Sequence, residues 1–552
     1  MTNQALPIDV LHWVIAALPL LVLLLLLVVL RWKAPEAGPI GMLVAAVIAL
    51  LIYRTPVDTL AVAGGKGVWD AVFILYVIWP ALLLYRVVDR AGAFVALREG
   101  IERFSNNELF LVLAFGWVFV SFLQGITGFG APVAIVAPLL LALDVRPLYA
   151  VVIPLIGHAW ANMFGTLAVA WLATLQVIDL QQPEVTAWQT ALLLVIPNLL
   201  AGVGIAWLFG RGRAVMHAAP FIAIIALIQS GGQFALALWN PVLAGFVASA
   251  VALVALYPLS RWKRYAERAE SITERPAMRD PVEVAERQRA EHEAKEPAPV
   301  MGLSMALAPY AILTVLTVGA LIVPPIERTL EGFEVGPPFP SVSTGYDLEQ
   351  PAEEQYAPFA PLTHPGTFLL LASLLSWLMY RSRGYYRSWR REGGAENGGG
   401  GLWQTVASDA IPASIAVVAL LAMSRVMDHS GQTLVLARGI AEVAPPLVFA
   451  FFASWIGLLG SFMTSSNTAS NILFAPLQQS VAEAEGLREA TIIGAHHAGA
   501  AVGNAIAPAN VVLGTGTAGI VGREGDVLRK VLPWALGVTA VVGIATILLI
   551  VL

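Results

Sequence analysis

Apolar runs of ~17 to 25 residues recur along nearly the whole chain, and each is long enough to cross the roughly 30 Å hydrocarbon core of a bilayer as a helix. About twelve such spans are predicted, joined by polar or charged connections. The first, "WVIAALPLLVLLLLLVVL", is too long for a signal-peptide core and has no small-residue cleavage site. It runs into Arg31 and Lys33, so it reads as a retained span. Two stretches break the pattern: "SFLQGITGFGAPVAIVAPLL" from Ser121 and "SFMTSSNTASNILFAPLQQS" from Ser461 put Gly, Ser, Thr and Asn where a span should stay apolar.

Composition agrees with a membrane chain: 58% of 552 residues are hydrophobic and only 12% are charged, which excludes an ordinary soluble domain. The net charge of -5 matters less than where the charges fall. Lys and Arg cluster in 31–36, 86–104, 211–213, 261–295 and 381–391, which the positive-inside rule assigns to the cytoplasm. The connections 179–187 and 324–362 carry almost no basic residues and fall on the opposite side. With the N-terminus outside, every run threads without conflict. The absence of cysteine excludes disulfides and thiolate metal sites.

Threading also exposes a duplication. Each break segment is followed by a small-residue-rich span, "VVIPLIGHAWANMFGTLAVA" or "TIIGAHHAGAAVGNAIAPAN". Both breaks open with Ser-Phe, both carry a late Pro (Pro138, Pro476), and a His follows each Pro by twenty residues (His158, His496). Arg103 and Arg146 flank the first hairpin, whereas acids balance or outnumber bases around the second, so the two are expected to enter from opposite sides as an inverted-topology repeat. The expected fold is an all-α polytopic membrane protein, each repeat holding a re-entrant hairpin and a broken transmembrane helix.

The chain divides accordingly. Spans of 1–107 precede the first break region, 108–178, and further spans occupy 179–260. A charged cytoplasmic linker, 261–300, leads to spans 301–380 with the outer connection 324–362. A basic, Gly-rich linker (381–402) leads to a span and outer loop (403–442), the second break region (443–514) and a last span (515–552).

Irregular backbone at membrane depth is tolerated only where protein or a watery cavity receives its polar groups. Gly125, Thr127, Gly128, Phe129 and Gly130 at the first tip, and Ser465, Ser466, Asn467, Thr468 and Asn471 at the second, are the candidate binding residues. Small residues also let membrane helices pack closely, which is the plainer reading of the same stretches. The second tip can alternatively hold Na⁺ through its oxygens. Gln124, Asn162, Asn504 and Asn510 are either supporting ligands or caps for backbone freed by the breaks.

The predicted spans around the tips contain no Asp or Glu, which leaves His158, His496 and His497 as their titratable groups. Each is a proton-coupling candidate or a neutral histidine bonded to backbone. Arg425 and Asp428 read as a local ion pair or an outer gate, and Asp70 and Asp409 as acids near span starts that need no functional explanation.

At "GITGFGAPVAI", "PLYAVVIPLI", "WIGLLGSFMTSSNTASNILF" and "GTAGIVGREGDVLRK" the chain resembles the lactate permease family of bacterial proton symporters for L-lactate, D-lactate and glycolate, in register from first span to last. The resemblance implies a small 2-hydroxy monocarboxylate substrate, a coupling proton, a multi-pass location in the bacterial inner membrane and no cofactor. It also implies a scaffold and a mobile transport domain with elevator-type motion. The carboxylate would sit between the Gly128–Gly130 backbone and Ser466, Asn467 and Thr468, with Phe129 against its apolar end.

Three departures stand out. Gln124 and Asn467 occupy positions where the family commonly has acids, and the His496–His497 pair replaces Asn and Thr. The competing readings are a Na⁺-coupled transporter of a dicarboxylate or other organic anion, and a membrane-embedded hydrolase using Ser466 with His496 or His497. Neither nucleic acid nor a resident metal is expected, and the assembly is a monomer or homodimer.

Overall fold

The computed structural model describes residues 6–30, 32–94, 96, 105–127, 130–267, 269, 272–279, 301–322, 329–330, 332–344, 346, 349–386, 401–521 and 523–552. Within them the chain is helical almost throughout, as its apolar runs dictate: without water to bond, backbone groups must be satisfied within the segment. Helices α1 (Val10–Leu24), α2 (Ala34–Leu51) and α3 (Val57–Arg90) come first. Then α4 (Glu108–Leu113) runs through a π-helical turn, Ala114–Phe119, into α5 (Val120–Gln124), and α6 (Ala131–Ala142) returns. The two shorter helices α7 (Pro147–Gly157) and α8 (Gly165–Val177) follow, separated by a 3-10 turn at Ala159–Asn162.

Next come α9 (Pro183–Ala226), bent at Gly210 and Arg211, α10 (Gly232–Ala237), α11 (Pro241–Arg261), α12 (Leu303–Ile322) and α13 (Pro365–Ser382). Helix α14 (Leu402–His429) leads through α15 (Gln432–Val443) to the helical hairpin α16 (Pro446–Thr464) and α17 (Asn467–Ala484). The interrupted pair α18 (Glu489–Gly503) and α19 (Pro508–Thr517) precedes the final α20 (Glu524–Val551). Among the described residues, nine helices are long and apolar enough to cross a membrane.

Two packing groups are evident. In one, α3 lies along α14 and α13, and α14 also packs on α2. In the other, α16 crosses α18 and contacts α17 and α20, while α18 also packs on α9. The α16–α18 crossing is close because glycines face it from both sides: a Cβ on Gly457 would collide with the His496 carbonyl, and one on Gly499 with that of Ser454. Such small-residue contacts replace the hydrophobic driving force that helices lack in lipid. Helix α8 bridges the groups, touching α17 and α11 on one side and α3 on the other.

The α12–α13 connection folds down onto α3. Its short hairpin, β1 (Val342–Ser343) with β2 (Glu349–Gln350), is antiparallel. Thr59 donates to the Ser343 carbonyl at 2.9 Å, Trp69 to that of Ala357 at 3.2 Å, and Lys66 to Glu353 at 2.7 Å. Helix α3 has 34 residues and so extends about 51 Å, well beyond a roughly 30 Å bilayer core, which leaves it a length for this connection to cover. Of the charged linker 261–300, residues 280–300 lie outside the described residues, as does most of the Gly-rich linker.

Candidate functional site at four helix breaks

Four interruptions converge: the α5–α6 turn, the α7–α8 break, the α16–α17 turn and the α18–α19 break. They enclose a cavity lined by Gln124, Gly130, Asn162, Thr166, Val169, Ser465, Ser466, Asn467, Thr468, Asn504 and Asn510. Its volume is about 40 Å³, room for about three waters at roughly 10–15 Å³ each. Among the described residues, no formally charged side chain lies on this wall.

Local chemistry explains three of the breaks. Gly130 has φ +79°, a left-handed conformation that only glycine adopts without strain, and a Cβ there would meet Asn510 Oδ1 at 2.8 Å. Proline at the second position of α6 and the first of α19 suits a helix start, because its missing N–H has no intrahelical acceptor there. Ser465 ends α16 in a left-handed conformation, and Ser466 caps α17 by accepting from the Ala469 N–H at 3.2 Å. The Ser465 hydroxyl in turn accepts from the Ala509 N–H at 3.2 Å, joining the α17 hairpin to the start of α19.

Asparagines cover the carbonyl ends. The Asn162 amide donates to the carbonyls of His158, Ala159 and Ala501 at 3.0 to 3.3 Å. Asn504 donates to Asn162 Oδ1 at 2.8 Å, and Asn510 to the Asn504 carbonyl at 3.0 Å and its Oδ1 at 2.7 Å. These three are thus both caps and wall. By contrast, no carboxylate stands at the starts of α6, α17 and α19, each of which carries the positive end of a helix dipole.

Of the candidates read from sequence, Gln124, Gly130, Asn162, Asn504, Asn510 and Ser465 to Thr468 line the cavity. Gly128 and Phe129 lie outside the described residues. Gly125 is set back against Phe246 of α11. Thr127 bonds back to the Leu123 carbonyl at 3.0 Å, and Asn471 to that of Ala170 at 2.9 Å. Thr166 and Val169 were not foreseen. Thr166, Leu167 and Ala168 all have positive φ at the start of α8, a conformation their side chains disfavour and that nothing in "GTLAVA" announces.

The histidines sit behind the wall. His158 Nδ1 bonds the Pro154 carbonyl at 2.8 Å. His496 Nδ1 is 3.5 Å from the Gln478 amide. His497 engages Thr190 with Nδ1 at 3.0 Å and Thr174 with Nε2 at 2.9 Å, tying α18 to α9 and α8. Ser466 bonds the backbone, and no hydrogen bond joins it to either histidine among the described residues.

Two charge assignments change. Asp70 is not a helix-start acid: it lies 13 residues beyond Val57, fully buried, and Arg425 Nε binds its Oδ2 at 2.7 Å. Arg425 therefore pairs across helices and not with Asp428, whose near neighbour is His429 at 3.6 Å. Asp409 pairs with Arg86 at 2.7 Å. The local pair lost because Asp428 is half-exposed, while Asp70 lies in the dry interface that a guanidinium fork can fill.

The family model described as L-lactate permease matches residues 12–552. An L-lactate permease of Salmonella typhi is 28% identical over 96% of this chain and 94% of its own length. The glycolate permease GlcA of Escherichia coli is 27% identical over 97% and 95%. Among solved structures, the YdaH transporter of Alcanivorax borkumensis aligns over 86% of this chain and 85% of its own, with a TM-score of 0.40 and 14% identity. These relatives are permeases and not enzymes, and the chain belongs to the L-lactate permease family as a multi-pass protein of the bacterial inner membrane.

Proposed function

We propose that the chain is a secondary active transporter that imports a small 2-hydroxy monocarboxylate, L-lactate, D-lactate or glycolate, together with protons. The observation that carries this reading is the cavity at the four breaks. Three helix starts bring their positive dipole ends to one small space, while asparagine amides cover the opposing carbonyls. An anion is favoured there, and without a buried Lys or Arg it can also leave. Ser466, Asn467 and Thr468 on one side and the Gly130 turn on the other hold the carboxylate, and the side chain of Val169 meets its apolar end.

The two hairpins and two interrupted pairs form an inverted repeat, entering from opposite faces. The group built on α3 and α14 is the scaffold, and the group built on the hairpins, α7–α8 and α18–α19 is the transport domain, which moves as an elevator. The second reading, Na⁺ coupling, draws on one observation: Asn467 Oδ1 and Asn471 Oδ1 are buried without a partner among the described residues and are oxygen donors of the kind Na⁺ takes.

The test is counterflow of labelled L-lactate in proteoliposomes with Ser466→Ala and Thr468→Ala combined. Exchange is expected to fall below detection with the protein still folded; wild-type exchange would remove the site.

A further inference from the structure

Arg425 does more than neutralise a carboxylate. Its Nε binds Asp70 of α3, and its Nη2 donates to the carbonyl of Gln176 in the last turn of α8. Helix α8 opens at the cavity, where Thr166 and Val169 stand on the wall, and closes on this guanidinium. The α12–α13 connection reaches the same point. Tyr356 donates to Asp70 Oδ2 at 3.1 Å, and its ring lies 5.5 Å from the Arg425 guanidinium and 4.7 Å from Lys66 Nζ. Lys66 is held by Glu353.

The cluster is incompletely bonded. Asp70 Oδ1 and Gln176 Oε1 are both buried with no partner among the described residues. A static buried network is costly when half-satisfied, whereas one that changes partners needs spare acceptors. These two acceptors stand on either side of the boundary that α8 makes with α3.

We propose that Asp70 and Arg425 form an outer latch: Arg425, oriented by Asp70, clasps the end of α8 to the α3–α14 pair, and each transport cycle opens and remakes that clasp. The latch rests on the transporter reading, since it is motion of α8 against α3 that opens it. Arg425 is a positioning residue and does not touch the cavity. Tyr356 links the latch to the α12–α13 connection.

The chain has no cysteine, so an introduced pair is the only reactive one. In proteoliposomes, Gln176→Cys with Arg425→Cys is bridged by a bifunctional thiol reagent, and counterflow of labelled L-lactate is followed. Bridging is expected to abolish counterflow and cleavage of the bridge to restore it, whereas bridging Thr59→Cys to Ser343→Cys, within one body and outside the cluster, leaves the rate unchanged. Bridged Gln176–Arg425 protein that exchanges at the unbridged rate would overturn the latch.

A second measurement covers loss of the unbridged activity. R425K keeps the charge but lacks the planar fork, and the neutral pair D70N/R425Q strands no buried charge. Both are expected to move Vmax at least about threefold with KM within about twofold, because the cavity is untouched. Unchanged Vmax in both also sinks the proposal. If wild-type protein itself shows no counterflow, the transporter reading fails and the latch falls with it.

Discussion

Ser466 has two duties that substitution can separate. It caps α17 through the Ala469 N–H, and it stands on the cavity wall. Asp caps as well as Ser and is favoured by the helix dipole, whereas Ala forfeits about 1 kcal/mol of capping. Ser466→Asp is therefore expected to keep the thermal midpoint of the detergent-solubilised protein while abolishing lactate binding, because it puts a carboxylate against a carboxylate. Lactate binding that survives in Ser466→Asp would contradict the anion site, and Na⁺ binding strengthened by it would favour the cation reading.

The same scale shows what the sequence concealed. The second tip is legible because Ser, Thr and Asn interrupt an apolar run, and Gly130 because a glycine string does. Thr166 and Val169 were hidden in an ordinary-looking run, since their exposure to the cavity depends on three left-handed residues of types that rarely take that conformation.

Among elements, α3 was the one most misjudged. Its strongest apolar stretch begins after Asp70, which makes the acid look terminal, but the helix starts at Val57 and its first part lies under the α12–α13 connection. Arg425 and Asp70 are 355 residues apart, a pairing no local spacing reveals, while Asp428 sits one turn away and invites the wrong partner.

The end of that connection carries a testable pH dependence. His364 caps α13, its Nδ1 accepting from the Gly366 N–H at 3.3 Å, and packs against Phe73, Tyr76 and Phe359 with ring centroids 4.4 to 5.3 Å away. Burial pushes its imidazole down to about 4 from an ordinary value of 6.5. A base depressed in the folded state is protonated first in the unfolded one. Its contribution is therefore full above pH 6.5 and is lost as pH falls through that window to about 4. The variant His364→Asn keeps a capping acceptor without the titration. Thermal midpoints of wild type and variant should diverge between pH 7 and pH 4.5, with wild type losing more; parallel curves would show that the cap is indifferent to protonation.

At the scale of the whole molecule, the order of apolar runs and breaks was readable because a bilayer admits few ways to bury backbone. What joins the runs was not. The packing of α8 between the α3–α14 pair and the second hairpin, the histidines set behind the wall, and the asparagines that seal carbonyl ends all depend on contacts across hundreds of residues. Those contacts bring the four helix breaks around one cavity. They also make Gln124 and Asn467 neutral members of a neutral wall.

The most direct measurement is uptake of labelled L-lactate by the purified protein in proteoliposomes under an imposed inward proton gradient, beside a matched Na⁺ gradient. Saturable uptake driven by protons, and not by Na⁺, is the predicted result. Uptake that follows only the Na⁺ gradient, or no lactate uptake under either, would contradict a proton-coupled monocarboxylate transporter.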